Sequence, residues 1–260
     1  MLRSDNLVYR AAGRALVDGI SATFEPGLLH LIIGANGAGK STLVKLLSRT
    51  LRPHAGHVSY GEMDASRWSE RDLATRRAVL SQAIEVPFAI PVHELVMMGR
   101  YPHFRGRPGA SDERICQDVM RYFEVSELGD RNYQTLSGGE RQRVNFARVL
   151  AQIWEPVPGS ARYLFLDEPL TFLDIRHQLD FMQKVRSFAL RPDVVAVAVV
   201  HDLNLAARFA DHVVLLHRGR VLADGPKADV LIPEHLRTGF NVKPVLLENP
   251  ETGEVHWAFD

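Results

Sequence analysis

Three stretches of the chain are apolar at nearly every position: Leu28 to Ile33, Tyr163 to Leu166, and Val194 to Val200. Short continuous apolar runs suit strands of a parallel sheet covered on both faces, because an exposed sheet would alternate with polar residues. Ala78-Val79-Leu80-Ser81-Gln82 reads as a further strand ending on a polar residue. Residues 1 to 30 alternate polar and apolar and predict short strands with a turn at Glu25-Pro26-Gly27. After a turn at Arg52-Pro53-His54-Ala55-Gly56, His57 to Gly61 predicts another short strand. Elsewhere the period is helical. Leu43, Leu46 and Leu47 share one face, as do Ile115, Val119, Tyr122 and Phe123, and Val144, Ala147, Val149 and Ala151. Strands interleaved with helices predict an α/β fold with a parallel sheet.

From about Val86 the pattern changes. Pro87 and Pro91 bracket a loop, Val92 to Met98 looks helical, and Gly99 to Gly109 is rich in Gly, Pro and Arg. Ser111-Asp112-Glu113 then opens a helix. Residues 86–159 are therefore expected to form a helical subdomain inserted between two parts of a core, 1–85 and 160–260. Tyr101, His103 and Phe104, set among arginines, fit a docking surface and a solvated loop equally well. Near the end, Val242 to Leu247 and Glu254 to Phe259 flank Asn249-Pro250-Glu251-Thr252-Gly253 and predict a hairpin.

Composition narrows the classes. Lys plus Arg and Asp plus Glu are equal at 31 each, so no electrostatic footprint for nucleic acid is present. Cys116 is the single cysteine, which excludes an internal disulfide framework and fits a reducing cytoplasm. Its neighbours Ile115 and Val119 predict a packed core thiol. The start of the chain lacks the apolar core of a signal peptide, and no apolar run approaches a membrane span. Contact with a membrane is expected only through a partner. Apart from His201, the histidines show no metal-ligand spacing and receive no role.

Chemistry enters at Gly34-Ala35-Asn36-Gly37-Ala38-Gly39-Lys40-Ser41-Thr42, which fits the phosphate-loop pattern G-x-x-x-x-G-K-[ST]. Glycines let the backbone curl tightly around an anion, and amides from Gly37 to Ser41 can point inward. The helix that follows puts its positive end at the same place. Lys40 would reach the β- and γ-phosphates, Ser41 would ligate Mg²⁺, and Thr42 would support the phosphates. Leu136-Ser137-Gly138-Gly139-Glu140 opens a helix. Ser137 and Glu140 have capping-box spacing. Yet two glycines in a first helical turn are costly, and they suit a second anion site on bare amides. Asp167-Glu168-Pro169 follows a buried strand, where an acid can hold Mg²⁺ and its neighbour can polarise water; taken alone, the stretch also fits a surface turn. His201 follows another buried strand, on the edge where parallel strands carry ligands. Tyr9 reads as a buried strand aromatic or as an adenine-stacking ring.

Together, Gly34 to Thr42, Gln82, Leu136 to Glu140, Tyr163 to Glu168 and His201 resemble, in order and spacing, the ATP-binding subunits of ABC transporters, over nearly the whole chain. The resemblance implies a P-loop NTPase (RecA-like) α/β core with an N-terminal antiparallel β subdomain and an inserted α-helical subdomain, binding ATP and Mg²⁺. It implies Tyr9 as the adenine-stacking ring and Gln82 as the residue sensing γ-phosphate and Mg²⁺ beside the permease. Ser137, Gly138 and Gly139 would bind the γ-phosphate of ATP held by a second copy, arranged head to tail. Asp167 would be the Mg²⁺-linked acid, Glu168 the general base, Asp174 the interface aspartate and His201 the residue that positions water. Leu170 departs from the usual Thr after Glu-Pro. Within the family, Met98 to His103 and His201 to Ala206 resemble importers of iron-siderophore complexes, vitamin B12 and haem. The loop Trp154 to Ala161 resembles the haem (hemin) importer ATPases in particular. The implied setting is the cytoplasmic face of a bacterial inner membrane, on a permease dimer fed by a periplasmic binding protein. A soluble relative acting on DNA or ribosomes would need coiled-coil arms, a second cassette or a basic patch, and none is visible. A non-hydrolysing regulator would lack Glu168 or His201.

Overall fold

The first two strands, β1 (Leu2–Ala11) and β2 (Arg14–Phe24), are longer than the short strands expected. Register shifts after Ser4, Leu7 and Tyr9 absorb the places where the alternation slips, so one antiparallel ribbon continues through them. The computed structural model describes residues 1–81, 86–170, 173–248, 250 and 255–260. Gln82 and most of the turn Asn249 to Gly253 lie outside the described residues.

The chain continues through β3 (Leu28–Ile33), α1 (Lys40–Leu47), β4 (Ala55–Tyr60), β5 (Met63–Asp64), α2 (Glu70–Ala74) and β6 (Arg77–Leu80). It then leaves the sheet for α3 (Val92–Met97), α4 (Ala110–Tyr122) and α5 (Gly138–Gln152). It returns with β7 (Arg162–Asp167), α6 (Ile175–Ala189), β8 (Val194–Val199), α7 (Leu203–Phe209), β9 (His212–His217) and β10 (Arg220–Pro226). It ends with α8 (Lys227–Val230), α9 (Pro233–Phe240) and the antiparallel pair β11 (Pro244–Glu248) and β12 (Val255–Phe259).

Two sheets organise these elements. A six-stranded sheet runs β10-β9-β3-β8-β7-β6, parallel except for β10, and an antiparallel sheet runs β2-β1-β4-β5. Strand alternation divides the central residues between two cores. Val195, Val197, Val199, Ile32, Tyr163 and Phe165 pack with α1 and the antiparallel sheet. Ala196, Ala198, Leu31, Leu164 and Leu166 pack with the helices of the other face, Cys116 among them. Every residue of β7 and β8 is buried, as the apolar runs required. Helix α4 begins at Ala110, slightly before the expected start, because the Gly109 amide donates to Asp112 Oδ2 at 3.0 Å.

The histidines are less scattered than their spacing suggested. His30 on β3 stands opposite His212 on β9, with Nδ1 to Nδ1 at 3.2 Å. The Glu25 carbonyl, 2.9 Å from His30 Nε2, can only accept, so that nitrogen carries the proton. Burial lowers the His30 pKa to about 4, so the ring is neutral and its Nδ1 accepts from His212. His212 Nε2 then faces Asp224 Oδ1 at 3.4 Å, and burial raises that carboxyl. The row His30, His212 and Asp224 crosses three neighbouring strands. It ties β3, β9 and β10 together.

Arg162 opens β7 with 1% of its side chain exposed. It donates Nε and Nη2 to the two oxygens of Asp193 at 2.7 and 2.8 Å, and Nη1 to the carbonyls of Ile153 and Trp154. This fork fastens the loop that precedes β7. Removing one partner of a buried pair strands the other, so Asp193→Ala should lower stability by about 3–5 kcal/mol at neutral pH, nearer the lower bound because Asp193 is partly exposed. Arg162 holds the Asp193 carboxyl below its ordinary range. The contribution is therefore complete above the ordinary carboxylate value and is lost as pH falls through the depressed one. Urea unfolding should show a gap between the two proteins at pH 7 that closes in acid.

Candidate functional site

Register places three strand ends in one row. Ile32 pairs with Val199, and Val199 with Asp167. Neighbouring strands lie about 4.8 Å apart, so β3, β8 and β7 stop level with one another. The chain then delivers Gly34, His201 and Glu168 to the same edge. Sequence reasoning placed these residues on that edge, and the structure brings them together.

The phosphate loop is wedged between β2 and β9. A Cβ on Gly34 would lie 2.4 Å from the Leu216 carbonyl oxygen, and one on Gly39 would lie 2.3 Å from that of Leu16. Their φ angles, +148° and +103°, are also ones that side chains rarely adopt. Both positions therefore require glycine. Gly39 caps α1 in a left-handed conformation, with no side-chain cap and no acid in the first turn. The first amides of α1 are left for an anion, with the helix dipole behind them. Lys40 is buried and donates to the carbonyls of Gly34 and Ala35 at 2.8 and 3.1 Å. Burial lowers its pKa, while Glu168 and Asp167 oppose the shift. Asn36 and Gly37 are exposed at the rim, Ala38 is buried, and Ser41 and Thr42 are half-buried at the start of α1.

Asp167 is buried, and its Oδ1 has no hydrogen-bond partner. Burial raises its pKa, partly offset by the Ser41 hydroxyl. An orphaned carboxylate oxygen beside a hydroxyl is a hard-oxygen donor set. It fits Mg²⁺, which takes one or two carboxylates and completes its shell with substrate phosphates and water.

Glu168 adopts φ +52°. A non-glycine residue held there costs about 1–3 kcal/mol, and such strain gathers at functional sites. Its Oε1 lies 2.7 Å from His201 Nε2. A cavity beside them is lined by Glu168, Pro169, Leu170, Gln178 and His201. The Gln142 side-chain amide donates to the Pro169 carbonyl at 2.6 Å. Sequence reasoning passed over Gln142, whose signal was its position one turn beyond Gly138 on the same helix.

The other expected residues lie apart. Helix α5 packs on α3, α4 and β6, whereas α1 packs on β7, β8 and β2. Its N-terminus uses the capping box: the Ser137 amide and hydroxyl donate to Glu140 Oε2 at 2.8 and 2.9 Å, and the Glu140 amide donates back to Ser137 Oγ. The capping alternative is therefore realised, and Gly138 and Gly139 occupy the first two helical positions beside it. Asp174 caps α6 by accepting from the His177 amide at 2.9 Å. Tyr9 is half-buried on β1 opposite Val17, beside the residue whose carbonyl meets Gly39, and its ring centre lies 4.9 Å from that of His54. His103 is half-buried and meets the Gln152 carbonyl at 2.6 Å, while Tyr101 is exposed.

Comparison with known proteins agrees with this geometry. The ABC transporter family model matches residues 17–171. The hemin import ATP-binding protein HmuV of Gloeobacter violaceus is 45% identical over 97% of this chain and 92% of its own length. HmuV of Pseudomonas fluorescens is 44% identical over 97% of each chain. Among solved structures, a chain of an inward-facing ABC transporter assigned to the metal-chelate type superposes with a TM-score of 0.83 at 24% identity, covering 100% of this chain and 97% of that one.

Asp167 offers a test of the site. Its raised carboxyl destabilises the ligand-free fold once pH exceeds the ordinary carboxylate value, because the folded state then prefers the proton that solution removes. Asp167→Asn should raise the ligand-free melting midpoint at pH 7 by a few degrees, since ~1 kcal/mol corresponds to about 2–4 °C in a domain of this size. The gain should vanish in acid, where the wild-type carboxyl is protonated. Added Mg-ATP should reverse the ranking, stabilising the wild type more. Scanning calorimetry with and without Mg-ATP checks both signs.

Proposed function

The chain belongs to the ABC transporter family of ATP-binding proteins, and on that premise we propose that it is the motor subunit of a haem importer. As a member of the family it binds and hydrolyses ATP, and such ATPases work as dimers with a transmembrane permease. The observation that carries the cargo is 45% identity over 97% of the chain to a hemin import ATP-binding protein, a likeness far wider than the shared phosphate loop. In the proposed setting, two copies lie head to tail on the cytoplasmic face of a bacterial inner membrane, below a permease dimer supplied with haem by a periplasmic binding protein. No helix among the described residues is long and apolar enough to cross a membrane, which accords with a peripheral place.

The mechanism follows from the residues. Amides of the phosphate loop and the first turn of α1 hold the phosphates, and Lys40 exchanges its carbonyl partners for phosphate oxygens. Tyr9 stacks on adenine. Ser41 and Asp167, with Gln82, would hold Mg²⁺, which neutralises charge on the β- and γ-phosphates. Glu168 takes a proton from the attacking water, and the His201 contact keeps its carboxylate aimed. Ser137, Gly138 and Gly139 present amides to the γ-phosphate held by the other copy, and Asp174 lies at the interface. The separate packing of α5 and α1 supports that division, since the signature helix and the phosphate-loop helix rest on different elements. Binding energy from ATP must favour the closed dimer over the open one for closure to pull on the permease.

Glu168→Gln keeps the shape of the side chain and removes the base. Turnover should fall by about 10²–10⁴-fold. ATP should still bind, and a closed, ATP-loaded dimer should accumulate in light scattering. Turnover near the wild-type rate would end the assignment of Glu168 as base. For the cargo, the chain is reconstituted with its permease and candidate binding proteins. Stimulation of ATP hydrolysis by haem-loaded carrier is expected; stimulation only by a siderophore or vitamin B12 carrier overturns the haem reading.

A further inference from the structure

We infer that Gln142 is a positioning residue for Glu168, and that it ties hydrolysis at one ATP site to occupancy of the other. The inference rests on the head-to-tail reading above. The turn Asp167-Glu168-Pro169 has little intrinsic preference for its shape. Glu168 is held at φ +52°, and a following proline narrows its choices further. The surroundings must therefore hold the turn. Pro169 is buried, and its carbonyl accepts the Gln142 amide at 2.6 Å. Leu170, the next residue, is packed against the apolar core and offers no polar group to the turn.

The donor comes from an unexpected place. Gln142 lies on α5, whose packing partners are α3, α4 and β6. It sits one turn beyond Gly138 and thus moves with the two glycine amides as part of a rigid helix. One end of that helix faces the ATP of the opposing copy. Its next turn grips the carbonyl adjacent to the residue that activates water on its own ATP. A small displacement of α5 on binding the opposing γ-phosphate is passed through one short hydrogen bond to the backbone that aims Glu168. Hydrolysis then becomes efficient in a protomer whose signature is engaged.

The test uses the full chain and Mg-ATP. Gln142→Met keeps the reach of the side chain without the donor, and Gln142→Lys restores a donor at similar length. Misplacing a catalytic group by about 1 Å from a remote position can cost on the order of 10²-fold, so Gln142→Met should lower kcat by about 10–100-fold. ATP affinity should stay within about twofold, because no ground-state contact to nucleotide is lost. The Hill coefficient for ATP should fall towards one, while the melting midpoint falls by only a few degrees, the cost of one stranded carbonyl. Gln142→Lys should recover most of the turnover. In a Glu168→Gln background, Gln142→Met should have no further effect, since both act at one step. Gln142→Ala serves in place of Gln142→Met if the thioether variant does not fold. Wild-type kcat and cooperativity in the donorless variant overturn the inference, as does an equal loss in the Glu168→Gln background, or a lysine variant as slow as the methionine one. A Glu168→Gln protein that is inactive beside a fully active Gln142→Met sinks the inference alone. A Glu168→Gln protein that is fully active sinks the base assignment on which it rests.

Discussion

Strand β8 has no face that meets water. All its residues are buried, with β3 on one side and β7 on the other, both parallel to it. Polar chemistry is therefore confined to the strand ends, and parallel pairing sends the ligand-bearing ends to one edge. The level register of Ile32, Val199 and Asp167 fixes that edge, and Gly34, His201 and Glu168 lie one or two residues beyond it. The electrostatics of the site follow. Lys40 and the α1 amides supply positive charge, but Asp167 and Glu168 stand opposite, both close enough to bear on Lys40. A polyphosphate arriving alone would meet two carboxylates and an incompletely compensated field. The orphaned Asp167 oxygen shows where a divalent cation would restore the balance.

What the sequence made legible was local chemistry. The phosphate loop, the buried strands and the Ser137–Glu140 pair each depend on a short stretch of chain, so their residue types carry the information. The capping box formed as its spacing foretold. Contacts that depend on tertiary register were not legible. His30 and His212 are 182 residues apart, and only the pairing of β3 with β9 sets them face to face. Gln142 reaches Pro169 across 27 residues, and glutamine on a helix is too common a residue to announce a partner. Nothing local marks Arg162 in the sequence; its burial and its fork to Asp193 arise only with the loop folded around it. In each case the residue type is ordinary and the partner is chosen by topology.

The two helix N-termini show how the same device can be set to different strengths. At α1 the amides are uncapped and Gly39 brings in no competing group, so an anion there meets donors and Lys40, with Asp167 and Glu168 opposite as the groups a cation would offset. At α5 the Glu140 carboxylate already occupies the Ser137 amide and hydroxyl. Those bonds hold its pKa below the ordinary range, so it is ionised at neutral pH. A phosphate reaching Gly138 and Gly139 gains two amides but meets a fixed negative charge, with Arg131 as partial counterweight 3.6 Å from Glu140. In the proposed dimer its binding would be a difference between attraction and repulsion, hence weaker than at α1. A nucleotide gripped strongly on one side and weakly on the other can hold two protomers together while it is intact, and release them when the phosphate spanning both sites is gone. Closure itself depends on how much more tightly ATP binds the closed pair than the open one, because a ligand can shift an equilibrium only by its differential affinity for the two states.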